Sequence, residues 1–238
     1  MIIAVINPNT TAAMTRRIGE AAQAVAVPGT RIMARNPTTG PASIEGYVDE
    51  IYSVPGLLAE IRRAEGEGAE GHVLACFDDT GLEAARCVAA HPVVGIGEAA
   101  FHMASLLAGR FSVITTLRRS IAALEHNLLK YGLERRCARV RAVEVPVLAL
   151  DDPSSDAAGR IAAEIAAALR DDHAEAIVLG CAGMAAFAAQ LSQHFGIPVL
   201  DGVGCGVKLI EGLHALKLTT SRLGGYARPF PKPWVGFQ

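Results

Sequence analysis

The chain has 238 residues, of which 51% are apolar and 19% charged, with a formal net charge of -2. That is enough chain to bury one large or two small cores, and too little charge of one sign to attract nucleic acid or an acidic membrane surface. No apolar run nears the ~18–20 residues of a bilayer span, so a small, neutral substrate suits the balance best.

The first apolar run, Ile2–Ile6, lacks the basic leader and small-residue cleavage site of a secretory signal. A cytoplasmic protein is expected. Further apolar runs predict strands at Thr30–Ala34, His72–Ala75, Val93–Gly95, Phe111–Thr115, Val140–Val143, Ala176–Leu179 and Val199–Leu200. They are nearly continuous in apolar character, as strands buried on both faces should be. Between them, Ala-rich patterns predict helices over Ala12–Ala24, Val48–Gly66, Gly97–Leu107, Leu117–Tyr131, Asp156–Arg170, Met184–Phe195 and Gly204–Leu216. This alternation predicts an α/β fold with mostly parallel strands and helices on both faces.

The chain also echoes itself. Val73-Leu74-Ala75-Cys76 returns 105 residues later as Val178-Leu179-Gly180-Cys181. Each is followed, after a helix, by a proline and a short apolar strand, His91-Pro92-Val93-Val94-Gly95 and Ile197-Pro198-Val199-Leu200-Asp201. Ile3-Ala4-Val5-Ile6 is matched by Phe111-Ser112-Val113-Ile114. The repeat predicts two pseudo-symmetric lobes, residues 1–97 plus 206–238 and residues 98–205, with the active site in the cleft between them. After Leu218 the chain turns Gly- and Pro-rich through to Phe237-Gln238 and reads as an extended tail. It is expected to pack across the first lobe or a neighbouring subunit, which points to a homo-oligomer.

In open parallel sheets, ligands bind beyond the carboxyl ends of the strands. Cys76-Phe77-Asp78-Asp79-Thr80 and Cys181-Ala182-Gly183 occupy equivalent strand ends, with Thr115-Thr116 beside the second. A helical segment follows each cysteine, so the helix dipole and backbone N–H groups are expected to favour thiolate. The N–H groups of Phe77, Ala182 and Gly183 are candidate oxyanion donors. A thiolate and a thiol on opposite sides of a carbon acid can invert it: one removes the proton and the other returns one. The remaining cysteines, Cys87, Cys137 and Cys205, read as packing residues, and the absence of C-x-x-C argues against a zinc ribbon or a redox pair.

Other polar residues carry ordinary explanations beside functional ones. Asn7 and Asn9 suit a turn and a helix cap, and Asn9 is equally placed for substrate. Asp78 and Asp79 read as helix caps, since no histidine stands at metal-ligand spacing. Gly202, Gly204 and Gly206 imitate a dinucleotide fingerprint with the wrong spacing and read as a helix start. Ser43, after Gly40-Pro41-Ala42, sits on a stiff loop and leans towards function. The four lysines fall in helices or the tail, which disfavours a pyridoxal-phosphate Schiff base.

Taken together, Ile6-Asn7-Pro8-Asn9-Thr10, Gly40-Pro41-Ala42-Ser43-Ile44-Glu45, Ala75-Cys76-Phe77-Asp78-Asp79 and Leu179-Gly180-Cys181-Ala182-Gly183-Met184 resemble the aspartate/glutamate/hydantoin racemase superfamily, in its hydantoin/allantoin branch. The resemblance implies an isomerase with two catalytic cysteines, Cys76 and Cys181, and with neither metal nor cofactor. It also implies substrate contacts from Asn9, Ser43, Phe77, Thr115, Thr116, Ala182 and Gly183. The aspartate and glutamate racemases match less well, having Asn-Thr after the first cysteine and Thr plus a polar residue after the second. Phe77 and Ala182-Gly183 stand here instead, which favours a less charged ring. A 5-substituted hydantoin is the leading substrate, with allantoin or an acidic amino acid as alternatives. A decarboxylase is disfavoured because both cysteines are present. A silent ligand-binding relative is the non-enzyme reading.

Overall fold

A computed structural model of the chain describes residues 1–233, side chains included except at Asp151 and Pro153. The end of the expected tail, residues 234–238 with Phe237 and Gln238, lies outside the described residues. The first half runs β1 (Ile2–Ile6), α1 (Ala12–Val25), β2 (Arg31–Arg35), α2 (Tyr47–Gly66), β3 (Gly71–Leu74), α3 (Leu82–Val88), β4 (Val93–Gly95) and α4 (Ile96–Leu107). The second runs β5 (Phe111–Thr115), α5 (Ile121–Lys130), β6 (Cys137–Ala142), α6 (Ala157–Ala167), β7 (Ala176–Gly180), α7 (Ala188–Phe195), β8 (Val199–Asp201) and α8 (Gly202–Ala215).

The strands form two four-stranded sheets of the same order, β2-β1-β3-β4 and β6-β5-β7-β8, and every pairing is parallel. The second order is the first with each number raised by four, so the internal echo in the sequence is an echo in topology. Central strands β1, β3, β5 and β7 bear the continuous apolar runs and are buried along almost their whole length. Edge strands β2 and β6 carry arginines and are partly exposed. That is why β6 begins three residues before the apolar run that suggests it: Cys137 and Arg139 pair with β5, with Ala138 at a register shift between them, although the segment is not uniformly apolar.

Three cores hold the molecule together. Leu57, Ile61 and Leu74 fill the outer side of the first sheet, and Ile161, Ile165 and Leu179 that of the second. The largest lies between the sheets and joins Ile3, Val5 and Val73 to Phe101, Phe111, Val113 and Val178. Phe101 is its centre, stacked on Phe111 at 6.0 Å and edge-on to Phe77 at 5.4 Å. The lobes exchange helices: α4 packs on β7 and β8, while α8 packs on β3 and β4. The glycines at the start of α8 serve this close approach. A Cβ on Gly206 would meet Val73 Cγ1 at 2.8 Å, and one on Gly202 would overlap the backbone of Ile96.

The described part of the tail lies on the first lobe. Arg222 donates to the carbonyls of Arg86, Ala89 and Ala90 at the end of α3, and Tyr226 Oη accepts from Arg86 at 3.3 Å. Among the described residues no helix is long and apolar enough to cross a membrane.

Candidate active site

The carboxyl ends of β1, β3, β5 and β7 converge on one cavity of about 430 Å³, counting the space open to solvent at its mouth. Of the residues expected to serve the site, Asn9, Cys76, Phe77, Thr115, Thr116, Cys181 and Ala182 line it. Ser43 and Gly183 are not on its wall; Ile44, the neighbour of Ser43, is. The cavity also has Met14, Asp78, Ser120, Val147 and Gly180 on its surface, and no Lys, Arg or His.

Each loop is fixed by bonds that its sequence permits. After β1, Asn7 Nδ2 donates to Asn9 Oδ1 at 2.8 Å and to Thr15 Oγ1 at 3.0 Å, and the Thr11 N–H donates to Asn9 Oδ1 at 2.9 Å. The Asn9 amide thus closes an Asx turn while facing the cavity, so its two readings are compatible. Thr115 Oγ1 donates to the Gly180 carbonyl at 3.1 Å and ties β5 to the cysteine end of β7.

Asp79 acts as a cap, though of a distant helix. Its carboxylate accepts from the N–H of Gly97 at 3.0 Å, of Glu98 at 2.7 Å and from Tyr131 Oη at 2.7 Å. It therefore anchors the Cys76 loop to the start of α4 and to α5, which carries Asn127 as well; Asn127 Nδ2 donates to the Asp78 carbonyl at 2.8 Å. The Gly40–Glu45 segment bridges the lobes at the mouth. Pro41 and Ala42 carbonyls accept from Thr10 and Thr11, while Glu45 Oε1 accepts from the Val147 N–H at 2.9 Å.

The ionisation of the cysteines runs opposite to the sequence expectation. Burial pushes the Cys76 thiol well above its usual value, and the Asp78 carboxylate pushes it further; the Thr80 hydroxyl and the Asp78 N–H offset this only in part. Burial likewise pushes Cys181 up to about 12, against the pull of the Gly183 and Met184 N–H groups, with Asp78 and Glu45 adding to the rise. Burial sets the sign, and two features absent from the local pattern weaken the compensation that was expected. Leu82, not Phe77, begins α3, so Cys76 has a turn rather than a helix terminus behind it. The segment after Cys181 is a short 3₁₀ stretch, Ala182–Phe187, with a weaker dipole than an α-helix. The expected donors shift too: the N–H groups acting on sulfur are those of Asp78, Gly183 and Met184. The Gly183 N–H is thereby engaged with Cys181, and a Cβ there would meet Leu150 Cδ1 at 2.9 Å. The two sulfurs also act on one another, so one thiolate disfavours the second.

Two equivalent strand ends thus carry thiols onto the wall of one cavity whose lining holds no cation. A profile of the Asp/Glu/Hydantoin racemase family matches residues 3–210. The chain belongs to this family. It is an isomerase of the racemase class. It is 49% identical to a hydantoin racemase of Rhizobium meliloti over 236 residues, 99% of this chain and 98% of that one. Among solved structures, an allantoin racemase from Klebsiella pneumoniae superimposes with a TM-score of 0.97 at 49% identity, covering 99% of this chain and 96% of that one. An allantoin racemase from Pseudomonas fluorescens does so with a TM-score of 0.95 at 38% identity, covering 99% and 100%.

Sequence reasoning missed several parts of the site, Met14, Ile44, Ser120 and Val147 among them. Val147 and Ser120 lie in short 3₁₀ turns after β6 and β5 with no motif to mark them. Ile44 is an apolar residue in a polar loop, a signal that was present. Asp78 was visible as one of two adjacent acids, and only the structure separates the cap, Asp79, from the residue on the cavity wall.

Proposed function

We propose that this racemase inverts the ring carbon of a 5-substituted hydantoin without a cofactor, using Cys76 and Cys181 as opposed base and acid. The observation that carries the reading is the pair of cysteines at equivalent ends of β3 and β7, on the wall of one cation-free cavity. In the competent state one sulfur is thiolate and the other thiol. The thiolate takes the proton from the ring carbon, and the C–H electron pair moves onto the adjacent carbonyl as an enolate. The opposed thiol then delivers its proton to the other face, the carbonyl re-forms, and the two sulfurs have exchanged protonation states. Asn9, Thr115, Thr116 and the backbone at Phe77 and Ala182 hold the ring and its carbonyls, on a wall of mostly buried residues where hydrogen bonds to a developing enolate count most.

Allantoin is the second reading, favoured by the match to the Klebsiella pneumoniae protein at the same identity as the hydantoin racemase. Incubation with 5-substituted hydantoins, allantoin and free amino acids in deuterium oxide, followed by proton NMR, separates the substrates. The expected result is exchange at the ring carbon of the cyclic compounds; exchange confined to free amino acids contradicts the reading.

We also assign residues 1–97 and 206–233 to one lobe and 98–205 to the other, residues 234–238 lying outside the described residues; the packing of α8 on β3 and β4 and of α4 on β7 and β8 supports this. The same reading has the enzyme working in the cytoplasm with its thiols reduced, and as a homo-oligomer, to which exposed Leu223 and Phe230 in the tail lend support.

A further inference from the structure

The proton relay leaves Asp78 without a task, yet its position is unusual. Its N–H acts on the Cys76 sulfur, its carbonyl is held by Asn127 of the other lobe, and its side chain bears electrostatically on both thiols from the cavity wall. Among the described residues its surroundings show no counter-charge. The charges acting on it are Glu50, on α2, and neighbouring Asp79, both acids. Glu50 Oε1 is itself buried without a hydrogen-bond partner, and no basic side chain lines the cavity. A molecule with a carboxylate on its reacting carbon would meet acids and find no cation there. A neutral ring would find an acceptor for one of its N–H groups.

We infer that Asp78 is the charge-selecting residue of the cavity. Its carboxyl accepts a hydrogen bond from an N–H of a neutral cyclic amide or ureide, and turns away molecules bearing a carboxylate, free amino acids and ring-opened carbamoyl acids among them. This rests on the reading of the cavity as a racemase site for neutral rings. It adds the residue that enforces the choice.

The test uses two alkylating agents that differ in charge, neutral iodoacetamide and anionic iodoacetate, on the intact protein. Rates at Cys76 and Cys181 are followed by peptide mass spectrometry and divided by those of glutathione, which removes intrinsic reactivity. Because the readout is the ratio of the two reagents at one sulfur, a general change in thiol ionisation or loop position cancels. For wild type at about pH 8.5, iodoacetamide should be favoured about tenfold after this correction, and D78N should reduce that preference at least about fivefold. An unchanged ratio in folded D78N overturns the inference.

A second measurement needs no variant at Asp78. Burial, reinforced by Glu50 and Asp79, raises the Asp78 carboxyl to about 7, so the wild-type preference should shrink as pH falls through that value. The groups facing Asp78 are Glu50, Asp79 and the two thiols. E50Q, which removes one acid pressing on Asp78, should move the midpoint to lower pH. A ratio that ignores pH in both proteins overturns the inference even if D78N does not fold. Neither arm requires turnover. Failure to racemise any ring with the ratios as expected removes only the proposed function, and racemisation with unresponsive ratios removes only the selector.

Discussion

Gly97, at the start of α4, is where packing and chemistry meet, and G97A is the substitution that shows it. A Cβ at this position would overlap the Phe77 carbonyl oxygen and stand 2.8 Å from Asp79 Oδ2. Both atoms are backbone or hydrogen-bonded carboxylate on the Cys76 loop, so neither yields cheaply. Overpacking of this kind costs about 1–3 kcal/mol, and displacing Asp79 from the N–H groups of Gly97 and Glu98 costs a further ~1 kcal/mol for the lost cap. Replacing Gly by Ala inside a helix returns roughly 0.5–1 kcal/mol. The net expectation is a loss of about 1–3 kcal/mol. G212A is the control: Gly212 lies in α8 with open space around its Cβ position, and it should gain about 0.5–1 kcal/mol. Urea unfolding of both variants reads the difference. Racemase assays should show G97A with lowered kcat, because the loop that moves carries Cys76, and G212A unchanged. A G97A protein as stable and active as G212A would refute the account of how this loop is held.

Other expectations follow from the charges. Because burial holds both thiols above their usual range, the fraction carrying one thiolate grows as pH rises. Log kcat/KM should climb from about pH 7 to about pH 9 with a slope near 1, and a flat profile there contradicts the ionisation described. Arg141 donates to Asp172 at 2.6 and 2.7 Å beneath the second sheet, with Ser112 Oγ on the same carboxylate at 3.0 Å. R141A leaves the buried carboxylate with Ser112 and a longer contact to Arg139 at 3.6 Å, and should cost about 3 kcal/mol by urea unfolding. This pairing holds Asp172 below its usual value, so its stabilisation is present above about pH 4 and is lost on further acidification. R141A should flatten that part of the acid-unfolding curve. R222A removes the donors that clasp the end of α3 and should cost about 1–3 kcal/mol, with limited proteolysis beginning in the tail; a tail as resistant as wild type counts against the clasp.

What could be read from the sequence was what is local. The central strands announced themselves because both their faces are buried, and the 105-residue echo became two sheets of one topology. Edge strands β2 and β6, which carry arginines among their apolar residues, were placed only approximately. The choice of Cys76 and Cys181 from five cysteines was equally local, since strand ends are visible in a sequence. Their ionisation was not. It depends on burial, on Glu45 from the loop before α2, and on Asp78, whose own ionisation is set by burial and by Glu50, distant in sequence. Pairing Asp79 with Gly97 and Tyr131 likewise needs the fold, because the helix it caps begins after the next strand.

The central claim is that two sulfurs on opposite sides of one carbon share the proton transfer. The most direct measurement follows racemisation and deuterium wash-in at the ring carbon for C76S and C181S, each started from either enantiomer. The account predicts that both variants lose racemisation by at least about a thousandfold while keeping wild-type unfolding curves. Full racemisation in either one would contradict it.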